Sequence, residues 1–208
     1  MFVRSDSFTP FSRLDPGLAF GQHDPASHFR FGGNRNPHLA WGDVPEGTKS
    51  FAVICVDHDV PSVGTDVNQE GRTVSVDLPR VPFFHWVLAD LPASLRSIAE
   101  GSHSDSITVG GKPAGPTPDG GLQGQNDYTG WFAGDADMGG TYCGYDGMGP
   151  PWNDERMHGY RFRVYALDVP SLGLSGGFTG PQVLDAIDGH VLARAEIIGL
   201  YAINPNPR

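Results

Sequence analysis

The sequence predicts a single, mainly β domain, an antiparallel or mixed β-sandwich with a few short peripheral helices. Three observations lead there: apolar runs of strand length are spread along the chain, only two stretches have helical spacing, and the links are rich in turn residues. At 208 residues, the chain falls inside the usual single-domain range of about 50 to 250 residues, so residues 1–208 read as one domain around one core. Glycine contributes 29 residues and proline 18, beside 38% hydrophobic and 11% aromatic residues. That balance implies long, specific loops rather than disorder.

In chain order, Ser50 to Asp57 is almost wholly apolar between Pro45-Glu46-Gly47 and Pro61, which predicts a strand buried on both faces. Phe83 to Asp90 reads the same way. Ala93 to Ala99 is a short helical stretch. The segment from Gly101 to Gly149 is so rich in Gly, Asp and Pro that it is expected to supply little core, and loops of that length are usually functional. Tyr160 to Asp168 alternates, with Tyr160, Phe162, Val164 and Ala166 on one face and Arg161, Arg163, Tyr165 and Leu167 on the other. Pro181 to Ala193 is the second helix, with Thr179 as its cap and Val183, Leu184, Ile187 and Val191 on one face. Ala195 to Ile203 is the last strand, where Gly199 suggests a bulge or a close backbone contact.

The formal charge is −10, a field that repels nucleic acid and anionic membrane surfaces, so neither is an expected partner. Any anionic ligand must be held by local groups. The N-terminal segment lacks the apolar stretch of a signal peptide, and no run approaches the ~18 apolar residues of a membrane span. These readings predict a cytoplasmic protein without stable membrane insertion. Cys55 sits in an apolar run and Cys143 in a glycine-rich loop, and two cysteines make no disulfide framework.

Three clusters carry chemistry. Asp57-His58-Asp59-Val60-Pro61 ends a buried strand, where Asp57 and Asp59 would share a face if strand geometry persisted; both could equally cap the turn before Pro61. Phe83-Phe84-His85-Trp86-Val87-Leu88 buries a histidine, either as a ligand contact or as a satisfied core residue. Gly144-Tyr145-Asp146-Gly147-Met148-Gly149-Pro150-Pro151 precedes His158-Gly159-Tyr160. There glycines allow close backbone approach, prolines stiffen a wall, and an imidazole and a phenol share one face; tight packing alone is the other reading of that loop.

Asp57-x-Asp59-x-Pro61, His85-Trp86-Val87, Gly149-Pro150-Pro151 and His158-x-Tyr160-x-Phe162, followed by Val164-Tyr165-Ala166-Leu167-Asp168, together resemble the signatures of the phosphatidylethanolamine-binding proteins, in particular their bacterial and archaeal branch related to Raf kinase inhibitor proteins. The order holds from about Leu39 to Ile203. The resemblance implies a β-sandwich with a pocket for phosphate, phosphorylated head groups and similar anions, formed by Asp57, Asp59, His85, His158, Tyr160 and the Gly149, Pro150, Pro151 wall. In that scheme Asp57 orients a histidine while imidazolium and hydroxyl donors hold the anion, so binding is expected to be stronger at about pH 6 than at about pH 8. The resemblance also allows a homodimer. Three departures fall near the pocket: Val60 and His58 alter the family's Asp-Pro-Asp-Ala-Pro, Gly159 replaces the arginine after the last histidine, and Ser62 to Pro82 is longer, forming a lid or partner surface.

The leading expectation is therefore a small-anion-binding protein with a sensing or regulatory role, without cofactor, metal or catalytic residue. The alternative is a metal-dependent hydrolase or lyase using the same histidines and acids, although no His-x-His or His-Glu-x-x-His pair is present. A third reading makes the surface around Ser62 to Pro82 a regulator of another protein. His190 is expected to pack its helix on the sheet, while His23, His28, His38 and His103 are expected to be solvated. Phe29-Arg30-Phe31 and Trp131-Phe132 are candidates for the pocket mouth.

Overall fold

A computed structural model describes residues 1–208. In chain order its elements are β1 (Phe2–Arg4), β2 (Gly21–Gln22), β3 (Arg30–Phe31), β4 (Leu39–Gly42), β5 (Ser50–Pro61), β6 (Arg80–Pro92), β7 (Ser97–Ile98), β8 (Gly115–Pro116), β9 (Leu122–Gln123), α1 (Tyr128–Trp131), β10 (His158–Leu167), α2 (Gly180–Ala186) and β11 (Val191–Tyr201). All strand pairs are antiparallel. The main sheet has six strands in the order β11-β10-β5-β6-β9-β8, and a second sheet has the order β1-β4-β7.

The apolar run of β5 lies at the centre because both of its faces are covered. Phe51, Val53 and Cys55 join Leu39 and Trp41 of β4 and Tyr160, Phe162, Val164 and Ala166 of β10 in the larger core, between the two sheets. Ala52, Ile54 and Val56 point the other way, onto Tyr165, Leu167, Phe178 and the Val183 and Ile187 side chains at α2. The alternation predicted for β10 thus sorts its residues onto two different cores. Gly199 is a close contact, since a Cβ there would stand 2.4 Å from Leu14 Cδ2.

Several expectations need correction. Ala93 to Ala99 is not a helix: Leu95 N–H closes a turn on Pro92, and Ser97–Ile98 pairs with β4, so a tertiary edge outweighs weak local propensity. The second helix stops at Ala186. It starts as expected, with the Gln182 side chain accepting from the Thr179 N–H at 2.9 Å, but Gly189 at φ +78° turns the chain and Val191 opens β11. His190 therefore sits in the turn, where its Nδ1 is 2.9 Å from Asp168 Oδ1.

The segment from Gly101 to Gly149 is also richer in core than its composition suggests. Tyr128, Tyr142, Cys143, Tyr145 and Met148 are all buried, and each tyrosine hydroxyl donates to a backbone carbonyl, at Gly147, Met138 and Leu18 respectively. Aromatic bodies supply the apolar area while glycines let the chain turn between them. His103, expected in solvent, is buried with its Nε2 2.7 Å from Asp119 Oδ2. Cys55 and Cys143 are both buried free thiols. No helix is long and apolar enough to cross a membrane.

Candidate functional site

Three neighbouring central strands converge on one cavity. Asp57 on β5 is the register partner of Tyr160 on β10 and of Phe83 on β6, and His85 lies two residues further along β6. The Gly149 to Pro151 run and the first-turn residue Tyr128 of α1 close the other side, around a cavity of about 100 Å³. Glycine is required at 149, where a Cβ would stand 2.5 Å from Tyr128 Oη.

His85 forms part of the floor. Its Nδ1 lies 3.0 Å from the carbonyl oxygens of both Asp146 and Gly147. Carbonyls only accept, so Nδ1 carries the proton and donates to them, which leaves Nε2 without a protein partner. Burial lowers the His85 pKa against the opposing pull of Asp57. The resting ring is therefore neutral, with a lone pair available on Nε2. Beside it, the wholly buried Tyr160 hydroxyl completes no hydrogen bond of good geometry, and burial, with the adjacent Asp57 carboxylate, raises its pKa well above that of a free phenol.

His158 does not line the cavity. It is fully buried behind Asp57, with Nδ1 2.6 Å from Asp57 Oδ2 and Nε2 3.1 Å from Asp154 Oδ2. Arg80 completes the row, donating to both oxygens of Asp154 at 2.5 and 3.1 Å. Burial alone would lower the His158 pKa, but the two carboxylates prevail and raise it to about 9. Burial would likewise raise Asp57 and Asp154, yet His158 brings both below the usual carboxylate value, helped at Asp154 by Arg80. The sequence reading had His158 contacting the anion. With both nitrogens already engaged, it instead fixes Asp57 and balances its charge.

Asp59 is not brought to the cavity either. The β5–β6 register slips between Asp57 and Val60, so the expected i, i+2 alignment is lost. Asp59 accepts instead from the Gly159 N–H at 3.0 Å and from Arg156 at 3.1 Å, outside the pocket.

This row of charges has a pH signature. A histidine whose folded pKa exceeds its unfolded value stabilises the fold fully below the unfolded value, and loses that contribution as pH rises through the folded value. For His158 the window runs from about 6.5 to about 9, a contribution on the order of 3 kcal/mol. Asp57 and Asp154, being lowered, give up their share only in acid, as pH falls below the ordinary carboxylate pKa of 3.8. The melting temperature should accordingly be highest near pH 6.5, declining toward pH 9 as His158 loses its proton and falling also on the acid side, where buried His85, lowered from 6.5, resists protonation. Calorimetric scans across that range check it.

A second buried cluster supports the floor from behind, and sequence reasoning missed it. Asp146 Oδ1 accepts from Asn34 at 2.8 Å and Lys112 at 2.9 Å, and Oδ2 from Asn126 at 2.8 Å. Asn34 Oδ1 in turn accepts from the Gly147 N–H at 2.8 Å. The Asp146-Gly147 carbonyls that orient His85 are thereby held in place. These residues come from four separate loops, so no spacing in the sequence joins them; a carboxylate directly before Gly147 was the only local signal.

The loop after Pro61 forms one wall of the cavity through Gly64, Val67 and Asn68. It is tied down by the Asn153 side chain, which donates to the carbonyls of Asp66 and Arg72 and accepts from the Asn68 N–H. Of the aromatic candidates for the mouth, Trp131 lines the cavity, whereas Phe132 stacks on Tyr128 and Phe31 packs edge-on against Phe20.

No three His, Cys, Asp or Glu side chains are grouped to hold a metal ion. The geometry accounts for this: the histidine nearest Asp57 has both nitrogens committed to carboxylates, and His85 Nδ1 is committed to carbonyls. The cysteines offer no activated nucleophile, since burial raises Cys55 well above an ordinary thiol and Cys143 to about 11.

Fold and cavity together define an antiparallel sandwich with a small polar-floored pocket at the end of its central strands. The sequence pattern of the family described as phosphatidylethanolamine-binding protein matches residues 4–202, and the chain belongs to that family. It is 34% identical to the UPF0098 protein YbhB of Escherichia coli over 171 residues, 82% of this chain and 84% of that one. It is 35% identical to a UPF0098 protein of Aquifex aeolicus over 184 residues, 87% and 82% of the two chains. The crystal structure of E. coli YbcL, described as a new member of the mammalian PEBP family, superposes with a TM-score of 0.69 at 27% identity, covering 98% of each chain.

Proposed function

We propose that this protein binds a small anion, a phosphate or phosphorylated head group, in the pocket floored by His85 and Tyr160, and that it acts as a sensing or regulatory binding protein. The observation that carries this reading is the wholly buried Tyr160 hydroxyl, which completes no hydrogen bond of good geometry in the chain and has the Asp57 carboxylate beside it. A buried donor without an acceptor is costly, and a ligand oxygen above the floor would satisfy it.

The rest of the floor specifies how the anion is held. No lysine or arginine lines the cavity, and Asp57 presents an acceptor there. A fully ionised anion would meet the Asp57 carboxylate and the His85 lone pair unfavourably. A protonated phosphate satisfies one of them, and a proton taken up at His85 Nε2 satisfies the other. Binding is thus linked to proton uptake. The pH preference is the one expected from the sequence, but His85 and the ligand carry the titrating proton, because His158 stays charged up to about pH 9.

Calorimetric titration with inorganic phosphate and with ethyl phosphate, at pH 6 and pH 8, tests the proposal. Affinity should be at least about a hundredfold stronger at pH 6, since binding needs both protons, a phosphate monoester loses its second proton near pH 6 and a free histidine loses its own near 6.5. His85→Ala should remove measurable binding. Tyr160→Phe should weaken binding roughly tenfold at little cost to the fold, because the lost hydroxyl completes no hydrogen bond of good geometry inside the chain. Affinity that ignores both substitutions and the pH change would show that the anion sits elsewhere.

A further inference from the structure

A cleft of about 580 Å³ opens away from the anion cavity and shares no lining residue with it. Asn68 marks the partition between the two. It lines the cavity, while its Oδ1 accepts at 2.9 Å from the N–H of Trp152, which lines the cleft. Four pieces of chain wall the cleft: the β2–β3 hairpin, Thr73 of the β5–β6 loop, the stretch from Trp152 to Glu155, and the segment 204–208. Its volume falls inside the about 300–1,000 Å³ of small-molecule sites.

These walls are held in place. Asp24 Oδ1 accepts from the N–H groups of Ala26 and Ser27, both at 2.9 Å, which locks the hairpin turn. His28 takes φ +65°, a left-handed conformation uncommon outside glycine. Its ring stacks on Trp152 at 4.4 Å and its Nε2 lies 2.8 Å from Glu70 Oε1. Backbone held in such a conformation concentrates at ligand sites. Asn204 donates to the Asp154 carbonyl at 2.7 Å and accepts from the Asn206 N–H at 2.9 Å, fixing the last wall. His23 also lines the cleft, and its buried Nδ1 has no partner in the chain.

Apart from two prolines, Trp152 is the one apolar side chain of the lining, so the cleft offers little to an apolar ligand. Its charges are already matched, Arg208 with Glu155 at 3.1 Å and His28 with Glu70. A charged ligand must break such a pair or leave its own charge unmet. The net charge of −10 further disfavours an anion. What stays uncommitted is a mixed set of donors and acceptors: the Thr73 hydroxyl, the Asn206 side-chain amide, the Trp152 indole N–H and the second oxygen of Glu155. A hydroxyl group both donates and accepts, so a ligand carrying several of them complements that set.

We infer that this cleft is a second binding site, for an uncharged polyhydroxylated ligand of hexose size held by Thr73, Asn206 and the Trp152 indole N–H. It stands apart from the anion-binding reading, because the two sites have no residue in common.

Indole N–H signals in heteronuclear NMR read the two sites separately. Trp152 lines the cleft, Trp131 lines the cavity, and the remaining tryptophans, Trp41 and Trp86, are buried; Trp152→Phe assigns the signal by removing it. Titration at pH 7 compares glucose, glucuronate and glucosamine, which present one ring with no charge, a negative charge and a positive charge. Glucose should move the Trp152 signal saturably in the millimolar range and leave Trp131 in place. The charged sugars should bind at least about threefold more weakly. Combining Thr73→Val with Asn206→Ala should weaken glucose binding about tenfold, a hydrogen bond being lost at each position. Both residues are exposed and neither side chain is hydrogen-bonded within the chain, so the double variant should fold. An unmoved Trp152 signal, full affinity in the double variant, tighter binding of either charged sugar, or a glucose response at Trp131 instead would overturn the inference while leaving the anion site untouched.

Discussion

Replacing His158 with alanine should destabilise the protein by about 3–5 kcal/mol at pH 7. The histidine is the one cation between Asp57 and Asp154, and both carboxylates are only 1% exposed. With the ring gone, Arg80 still pairs with Asp154, but Asp57 loses its one charged partner and keeps the Asp59 N–H at 2.7 Å. An unpaired buried carboxylate must either remain charged at great cost or take up a proton. The loss should therefore be largest near pH 6.5, shrink toward pH 4 as protonation becomes easy, and shrink again toward pH 9 as the wild type gives up its own His158 contribution. Urea unfolding at pH 5 and pH 7 measures it, with the midpoint moving and the slope unchanged. Phosphate affinity should fall in the same variant, because Asp57 loses the contact that orients it. A loss below about 1 kcal/mol at pH 7 would mean that the row of charges is not tightly coupled.

A comparable loss is expected from Asp146→Ala, of about 3–5 kcal/mol. Asp146 is fully buried and accepts from Lys112, Asn34 and Asn126. Without its carboxylate, the Lys112 ammonium retains only the Tyr145 carbonyl at 2.8 Å, and two buried amides lose acceptors. Asp146→Asn keeps the shape and part of the acceptor capacity, and should cost less. The effect should also reach the pocket. His85 Nδ1 is fixed by the Asp146 and Gly147 carbonyls, so loosening that turn frees the ring. A variant that unfolds earlier yet binds phosphate with native affinity would separate the cluster from the floor.

The strands were largely legible because their patterns reflect burial directly. The apolar run of β5 and the alternation of β10 both report on faces, and two-sided coverage of β5 follows from its having no polar face. The place of His85 at the cavity was legible for a similar reason: a polar side chain inside an apolar strand needs an explanation. What the sequence could not convey was depth. His158 and Tyr160 share a strand face, yet one lies behind Asp57 and the other reaches the cavity floor. Asp59 was misplaced by a register slip that no residue type announces. The Asn34, Lys112, Asn126 and Asp146 cluster depends on four loops meeting, and Gly189 ended a helix whose apolar spacing continued through Val191. Loop closures and tertiary edges decided these cases, and both lie outside local pattern.

Proton uptake on anion binding is the most direct test of the pocket's chemistry. The heat of phosphate binding measured at pH 8 in two buffers of different ionisation enthalpy gives the number of protons taken up. Since phosphate is mostly dianionic there and His85 is neutral, the wild type should take up close to two protons per phosphate bound, one on the phosphate and one at His85 Nε2. Binding at this pocket with no proton uptake would contradict the account.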